Sequence, residues 1–422
     1  MLTRRSLLFG APACAALGFF WERGDAMKLD RLQEIMTRHV EQGGVPGLVA
    51  LLRVRGETHV VALGKLTLGQ ATPMRADSIF RITSMTKPIT AAAALILIDE
   101  GKLGLDEPVD KWLPELANRR VLKRLDSPLS DTVPVARPIS VRDLLTFRMG
   151  FGQLMAAPDA YPILKAGWEL EIGMGPPAPA QMPAVDEWLA RLGKLPLMYQ
   201  PGERWLYNTG SDVLGVLIAR ASGSSFPEFL RKRLFQPLGM HDTDFFVPTA
   251  KLSRLATSYA TNRETKQLEI HDPVQGGQWS QEPAFPSGGA GLVSTAHDYA
   301  AFAQMLLDHG KHAGDQLISR ALVAAMTADQ LTPEQKAVSG LVPGQFDRHG
   351  WGFGVSVVTR AGEPTEPIGT YGWDGGFGTC FRNHPSDGMM TLLLTQLMWT
   401  SPQPPEVCRD FWAASRQALS TA

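Results

Sequence analysis

From Leu29 to Val40 apolar residues recur at helical spacing (Leu29, Leu32, Ile35, Met36, Val40), which places them on one face of a helix. The period then changes. "GLVALLRVRG" and "THVVALGK" read as two strands joined by a turn at Arg55-Gly56-Glu57. Three further strands are expected near the other end, at Trp351 to Arg360, Gly378 to Pro385 and Met389 to Met398, before a final amphipathic helix from about Pro405 to Leu419. Helical patterns dominate between these ends, in "SVRDLLTFRMG", "SDVLGVLIARASG", "SFPEFLRKRLFQPLG" and "STAHDYAAFAQMLLDHG". The stretch Gly152 to Pro183 is rich in Pro, Gly and Met, carries little periodic signal and reads as a long loop.

If the two sets of strands share one antiparallel sheet, helices must cover it and the middle of the chain forms a second lobe. The expected fold is α/β, an antiparallel sheet flanked by helices plus a mostly helical second lobe. Residues 27–105 and 290–422 would build the sheet lobe and residues 106–289 the helical one, with the cleft between them as the default ligand site. No internal repeat is visible.

Composition narrows the partners. The 422 residues carry a formal net charge of -1, with Lys and Arg scattered, so no basic stripe suits nucleic acid. The expected partner is a small molecule. Cys14, Cys380 and Cys408 show no metal-ligand spacing, and neither a metal nor a cofactor is expected. The start, "MLTRRSLLFGAPACAALGFFWERGDAM", has Arg4 and Arg5 ahead of an apolar run that resembles a twin-arginine export signal. Residues 1–26 are read as that signal, with a periplasmic or secreted protein as the expectation. The alternative is a cytoplasmic protein beginning at Met27. No stretch is long enough for a stable membrane span once the leader is removed.

The candidate chemistry starts in "RITSMTKPITAAAALILIDEGKL". Thr83 and Ser84 are N-cap types, an alanine-rich apolar run follows Lys87, and Pro88 is tolerated only within a first turn. The helix is therefore expected to begin at or just before Ser84, with Ser84 at the positive end of its dipole. Lys87, three residues on, then shares a face with Ser84. A serine hydroxyl needs a neighbour to take its proton: either a lysine with a depressed pKa does so, or a charged Lys87 holds a tyrosine phenolate that acts as the base. Alone, the pair reads as an ordinary capped helix with a surface lysine rather than as a catalytic pair.

Two further segments change that. "PGERWLYNTGSDVLGVLIARASG" sets Trp205 and Tyr207 on one face of an extended stretch before a helix from about Ser211. Ser84-x-x-Lys87 followed by this Pro-Gly-x-x-Trp-x-Tyr segment resembles the serine β-lactamase and penicillin-binding-protein superfamily, most closely its class C branch and the family VIII carboxylesterases. The resemblance implies a β-lactamase/transpeptidase-like fold and makes Tyr207 the proton shuttle beside Ser84 and Lys87. The second segment, "YGWDGGFGTC", stands where the superfamily carries Lys/His-Thr/Ser-Gly on the sheet's edge strand. Here it reads Trp373-Asp374-Gly375, similar to the Trp-x-Gly of family VIII esterases, and the resemblance implies an oxyanion hole from the N–H groups of Ser84 and Gly376.

Two departures bear on substrate. The β-lactamase pattern is Tyr, any residue, Asn, whereas Asn208 follows Tyr207 directly. Trp373 replaces the lysine that binds a β-lactam carboxylate, and Asp374 is expected to repel an anion. Trp373, Asp374, Gly375, Asn208 and Phe147 are the expected substrate-binding residues, with Phe147 and Met149 giving a hydrophobic wall near the cleft. A Gly-x-Ser-x-Gly elbow is missing, and His309 and His312 lack a third ligand nearby. The expected activity is a serine carboxylesterase acting on neutral short-chain esters. The alternatives are a β-lactamase, D-aminopeptidase, DD-peptidase or transesterase of the same fold, or an idle ligand-binding homologue.

Overall fold

The computed structural model describes residues 23–362 and 365–419; most of the expected leader lies outside them. Strands from both ends of the chain meet in one seven-stranded sheet. Its order is His349–Trp351, Ser356–Val358, Tyr371–Gly375, Thr379–His384, Met389–Thr395, Gly47–Val54, Glu57–Gly64. Every pairing is antiparallel, and the junction between the two ends runs from Leu48 opposite Thr395 to Arg53 opposite Met390.

Alternation along Gly47–Val54 decides what covers each face. Leu48, Ala50 and Leu52 pack with the helices Arg23–Glu41 and Glu406–Leu419. Val49 and Leu51 face the larger core, which holds the helices Thr86–Asp99 and Ala296–Leu307. Thr86–Asp99 is buried from Thr86 to Leu97, as expected of a helix that is apolar all round. Beyond it stands the second group of helices, including Val141–Leu145, Val185–Lys194 and Thr209–Ser222. Small hairpins (Arg120–Leu122 with Thr132–Pro134, Ser258–Thr261 with Leu268–Asp272) interrupt it.

Three local expectations need correction. The strand expected over Trp351 to Arg360 is two strands, because the chain reverses at Gly354, whose φ is +71°. Tyr371–Gly375, expected as an edge strand, lies inside the sheet. The supposed loop from Gly152 to Pro183 contains the helix Pro162–Glu169, opened by proline at its first position and anchored by buried Ile163 and Leu164. Two turns of helix are too short for periodicity to stand out against the flanking Gly and Pro residues.

Cys380 and Cys408 are free buried thiols with sulfurs 3.5 Å apart, between the sheet and the C-terminal helix. Among the described residues, no helix is long and apolar enough to cross a membrane, and no cluster of His, Cys, Asp and Glu could hold a metal.

Candidate active site

The chain enters the site along Phe80–Arg81, which pairs with Val293–Ser294, and turns at Thr83, whose φ is +40°. Positive φ is costly for a β-branched residue, and such strain persists only where the surroundings enforce it. A single 3₁₀ turn, Thr83–Met85, carries Ser84 and runs into Thr86–Asp99. The expected cap is absent: neither the Thr83 nor the Ser84 side chain bonds the first turn, because the 3₁₀ turn itself continues into the helix. Ser84 therefore keeps its hydroxyl for other partners and remains partly open to solvent.

Lys87 lies in the helix's first turn and is fully buried. Its Nζ donates to Ser84 Oγ at 3.0 Å, to Asn208 Oδ1 at 2.7 Å and to the Gly289 carbonyl at 2.7 Å. Burial, opposed by the Asp212 carboxylate, brings the amine down from its ordinary 10.5 to about 7. Both protonation states are satisfied here. An ammonium donates to all three oxygens; a neutral amine keeps two of those bonds and offers its lone pair to the Ser84 hydroxyl.

Tyr207 approaches from the other side, in the extended stretch before Thr209–Ser222. Asn208, at φ +77° and ψ −68°, is the centre of a γ-turn closed by the Thr209 N–H on the Tyr207 carbonyl at 3.2 Å. This is the strained form of that turn. It brings the Tyr207 ring under the lysine, with Nζ 4.4 Å from the ring centre. The Tyr207 hydroxyl accepts a hydrogen bond from Trp373 Nε1 at 2.8 Å and bonds Ser84. Burial nevertheless pushes that phenol well above its usual value, outweighing both bonds. The Tyr207 hydroxyl is therefore a neutral donor at ordinary pH, and the group at the site able to lose its proton near neutrality is Lys87.

Strand alternation sorts the expected binding residues. Trp373 faces Tyr207, their ring centres 5.7 Å apart, whereas Asp374 points to the opposite face of the sheet. There it holds Arg382 through bonds of 2.6 Å and 3.0 Å, with the guanidinium over the Trp412 ring. The expectation that Asp374 repels an anion in the cleft is corrected by this geometry. Gly375 faces the site, but its contribution is room: a Cβ there would stand 2.3 Å from the Ile82 carbonyl oxygen. Gly376 has nothing within 4 Å of such a position.

Phe147 is also corrected. It is 1 % exposed and packs behind the catalytic candidates, with ring centres 5.9 Å from Tyr207 and 5.0 Å from Trp351. Together with Trp205 it fixes the Tyr207 ring from the rear and cannot line a cleft. Met149 is buried too. Asn208, expected to meet substrate, commits its carbonyl oxygen to Lys87.

The sequence reading missed Gly289 and Asp212. Gly289 belongs to "PSGGAGL", and a Cβ on it would come 2.9 Å from Asn208 Oδ1, so the paired glycines were a signal of close backbone approach. Asp212 carried no motif signal, being one acidic residue in the first turn of a helix.

The family model "Beta-lactamase" matches residues 32–410. The chain is 36% identical over 377 residues to Protein Rv1367c of Mycobacterium tuberculosis, covering 88% of this chain and 90% of that one. It is 30% identical over 396 residues to Esterase EstB of Burkholderia gladioli, covering 89% and 92%. The solved structure of EstCE1, described as a hydrolase with promiscuous acyltransferase activity, superposes with a TM-score of 0.77 at 24% identity, over 94% of this chain and 100% of that one. With this fold, the chain belongs to the beta-lactamase family and is a serine hydrolase.

Proposed function

We propose that the protein is a carboxylesterase acting on neutral short-chain esters through an acyl-enzyme on Ser84. The observation that carries this reading is the contact of Lys87 Nζ with Ser84 Oγ at 3.0 Å, made by an amine that burial brings to about 7. In the neutral form Lys87 takes the hydroxyl proton as Ser84 Oγ attacks the ester carbonyl. The N–H groups of Ser84 and Gly376 receive the developing oxyanion. Tyr207, a neutral phenol held between Lys87 and Trp373, gives its proton to the departing alkoxide and recovers one from Lys87. Water then enters, and the same groups run in reverse to release the acid.

Substrate charge follows from Trp373. An indole N–H committed to Tyr207 stands where β-lactamases present a cation, so an ester's alcohol side meets an apolar surface. The sequence likeness to Esterase EstB supports the same reaction class. The test is a p-nitrophenyl ester series with nitrocefin in parallel. A burst of nitrophenol, lost in Ser84→Ala and in Tyr207→Phe, with little nitrocefin turnover, is expected. Nitrocefin hydrolysis faster than every ester would replace the reading with a β-lactamase.

A further inference from the structure

One carboxylate stands behind both oxygens that grip the lysine. Asp212, in the first turn of Thr209–Ser222 and 7% exposed, accepts from Ser287 Oγ at 2.6 Å and from the Gly289 N–H at 3.0 Å through Oδ1. Its Oδ2 accepts from Asn208 Nδ2 at 3.4 Å. The other end of the Asn208 amide, Oδ1, and the Gly289 carbonyl are the acceptors on Lys87 Nζ at 2.7 Å each. An amide whose N–H₂ end is held by a carboxylate must turn its oxygen the other way, and here that way is toward Lys87. The Gly289 carbonyl is held through Ser287: the N–H of the same peptide, on Ala290, donates at 3.0 Å to the Ser287 Oγ that in turn donates to Asp212.

We propose that Asp212 is a positioning residue for Lys87, clamping Asn208 and Gly289 so that both present oxygen to the amine. This rests on the esterase reading above, in which neutral Lys87 is the base for Ser84. Other features agree. Asp212 is met by donors only, the arrangement an ionised carboxylate requires; burial shifts its pKa up, and Ser287, Lys87 and the Gly289 N–H oppose that shift. The room for the clamp is made by glycine, since a Cβ at Gly289 would lie 3.1 Å from Asp212 Oδ1. Its charge also raises the Lys87 amine against the burial that lowers it, so the clamp sets how basic Lys87 is as well as where it lies.

The groups facing Lys87 can be named element by element. Ser84 comes from its own turn, Tyr207 and Asn208 from the γ-turn, Asp212 from the helix and the Gly289 backbone from the loop beside it. Asp374 is on the neighbouring strand but is tied to Arg382 on the far face. Asp212 is therefore the charge expected to govern the acid limb of activity.

The experiment is the pH profile of kcat/KM for p-nitrophenyl ester hydrolysis by the full chain, in the wild type, Asp212→Asn and Asp212→Ser. The wild type should show an acid limb near 7, where Lys87 titrates, and Ser84→Ala should be inactive. Either control failing removes the esterase mechanism itself. With both in place, neutral residues at 212 should lower the limb by about one pH unit or more, the scale of an opposite charge removed from a few ångströms away. They should also lower kcat/KM on the plateau. A role in folding alone would reduce the plateau and leave the limb in place, and an unmoved limb in a folded variant overturns the proposal. If neither substitution folds, Asn208→Ala breaks one arm of the clamp while keeping the carboxylate. It should lower the limb too, and the same criterion applies.

Discussion

Burial of the Lys87 amine has a thermodynamic signature that needs no substrate. In the unfolded chain the amine titrates near its ordinary 10.5, and in the folded protein near 7. Between those values the unfolded chain holds a proton that the native protein lacks, so stability rises with pH at about 1.4 kcal/mol per unit. The contribution is complete above the unfolded value, shrinks as pH falls, and is gone below the folded one. From pH 7 to 9 that slope gives about 2.7 kcal/mol, less ~0.4 kcal/mol because Lys87 is already half neutral at pH 7, leaving a gain of about 2 kcal/mol. Lys87→Met keeps the length and removes the titration. The difference in unfolding free energy between wild type and Lys87→Met, from urea curves at pH 7, 8 and 9, should therefore move by about 2 kcal/mol in favour of the wild type. The absolute stability of the variant is not the test, since methionine leaves the Asn208 and Gly289 oxygens and the Asp212 carboxylate without their cation. Parallel pH dependences would refute the depressed amine and, with it, the base assigned to Ser84.

Trp373→Phe keeps an apolar face but removes the N–H on Tyr207; kcat should fall about fivefold, the kinetic equivalent of one hydrogen bond of ~1 kcal/mol, with an unchanged circular dichroism spectrum, and full activity would contradict the role of that bond. Gly375→Ala should abolish ester hydrolysis because its Cβ needs the space 2.3 Å from the Ile82 oxygen, whereas Gly376→Ala, with nothing within 4 Å, should retain most of it; equal losses would refute the steric argument. Cys380 and Cys408, both buried, should resist alkylation in the native protein and react once it is unfolded, as read by peptide mass.

What the sequence made legible follows from how each signal is encoded. The sheet strands and long helices are written in periodicity, and Gly47–Val54 and Met389–Thr395 pair where the pattern placed them. Ser84, Lys87 and Tyr207 were found because spacing and neighbouring residues form motifs, and the fold brings those three together. Asp374 and Phe147 were misread for one reason: a motif names positions without saying which way a side chain points. A shift of one residue along Tyr371–Gly375 turns Trp373 toward Tyr207 and Asp374 toward Arg382. Asp212 was invisible because its meaning arises only when Ser287 and Gly289, more than seventy residues later, fold against it.

The central claim is an acyl-enzyme on Ser84, and intact mass after rapid acid quench of a p-nitrophenyl ester reaction tests it most directly. The account predicts a protein heavier by one acyl group, with the adduct on the peptide that contains Ser84 and absent from Ser84→Ala. Turnover without any adduct on Ser84, or undiminished in Ser84→Ala, would contradict it.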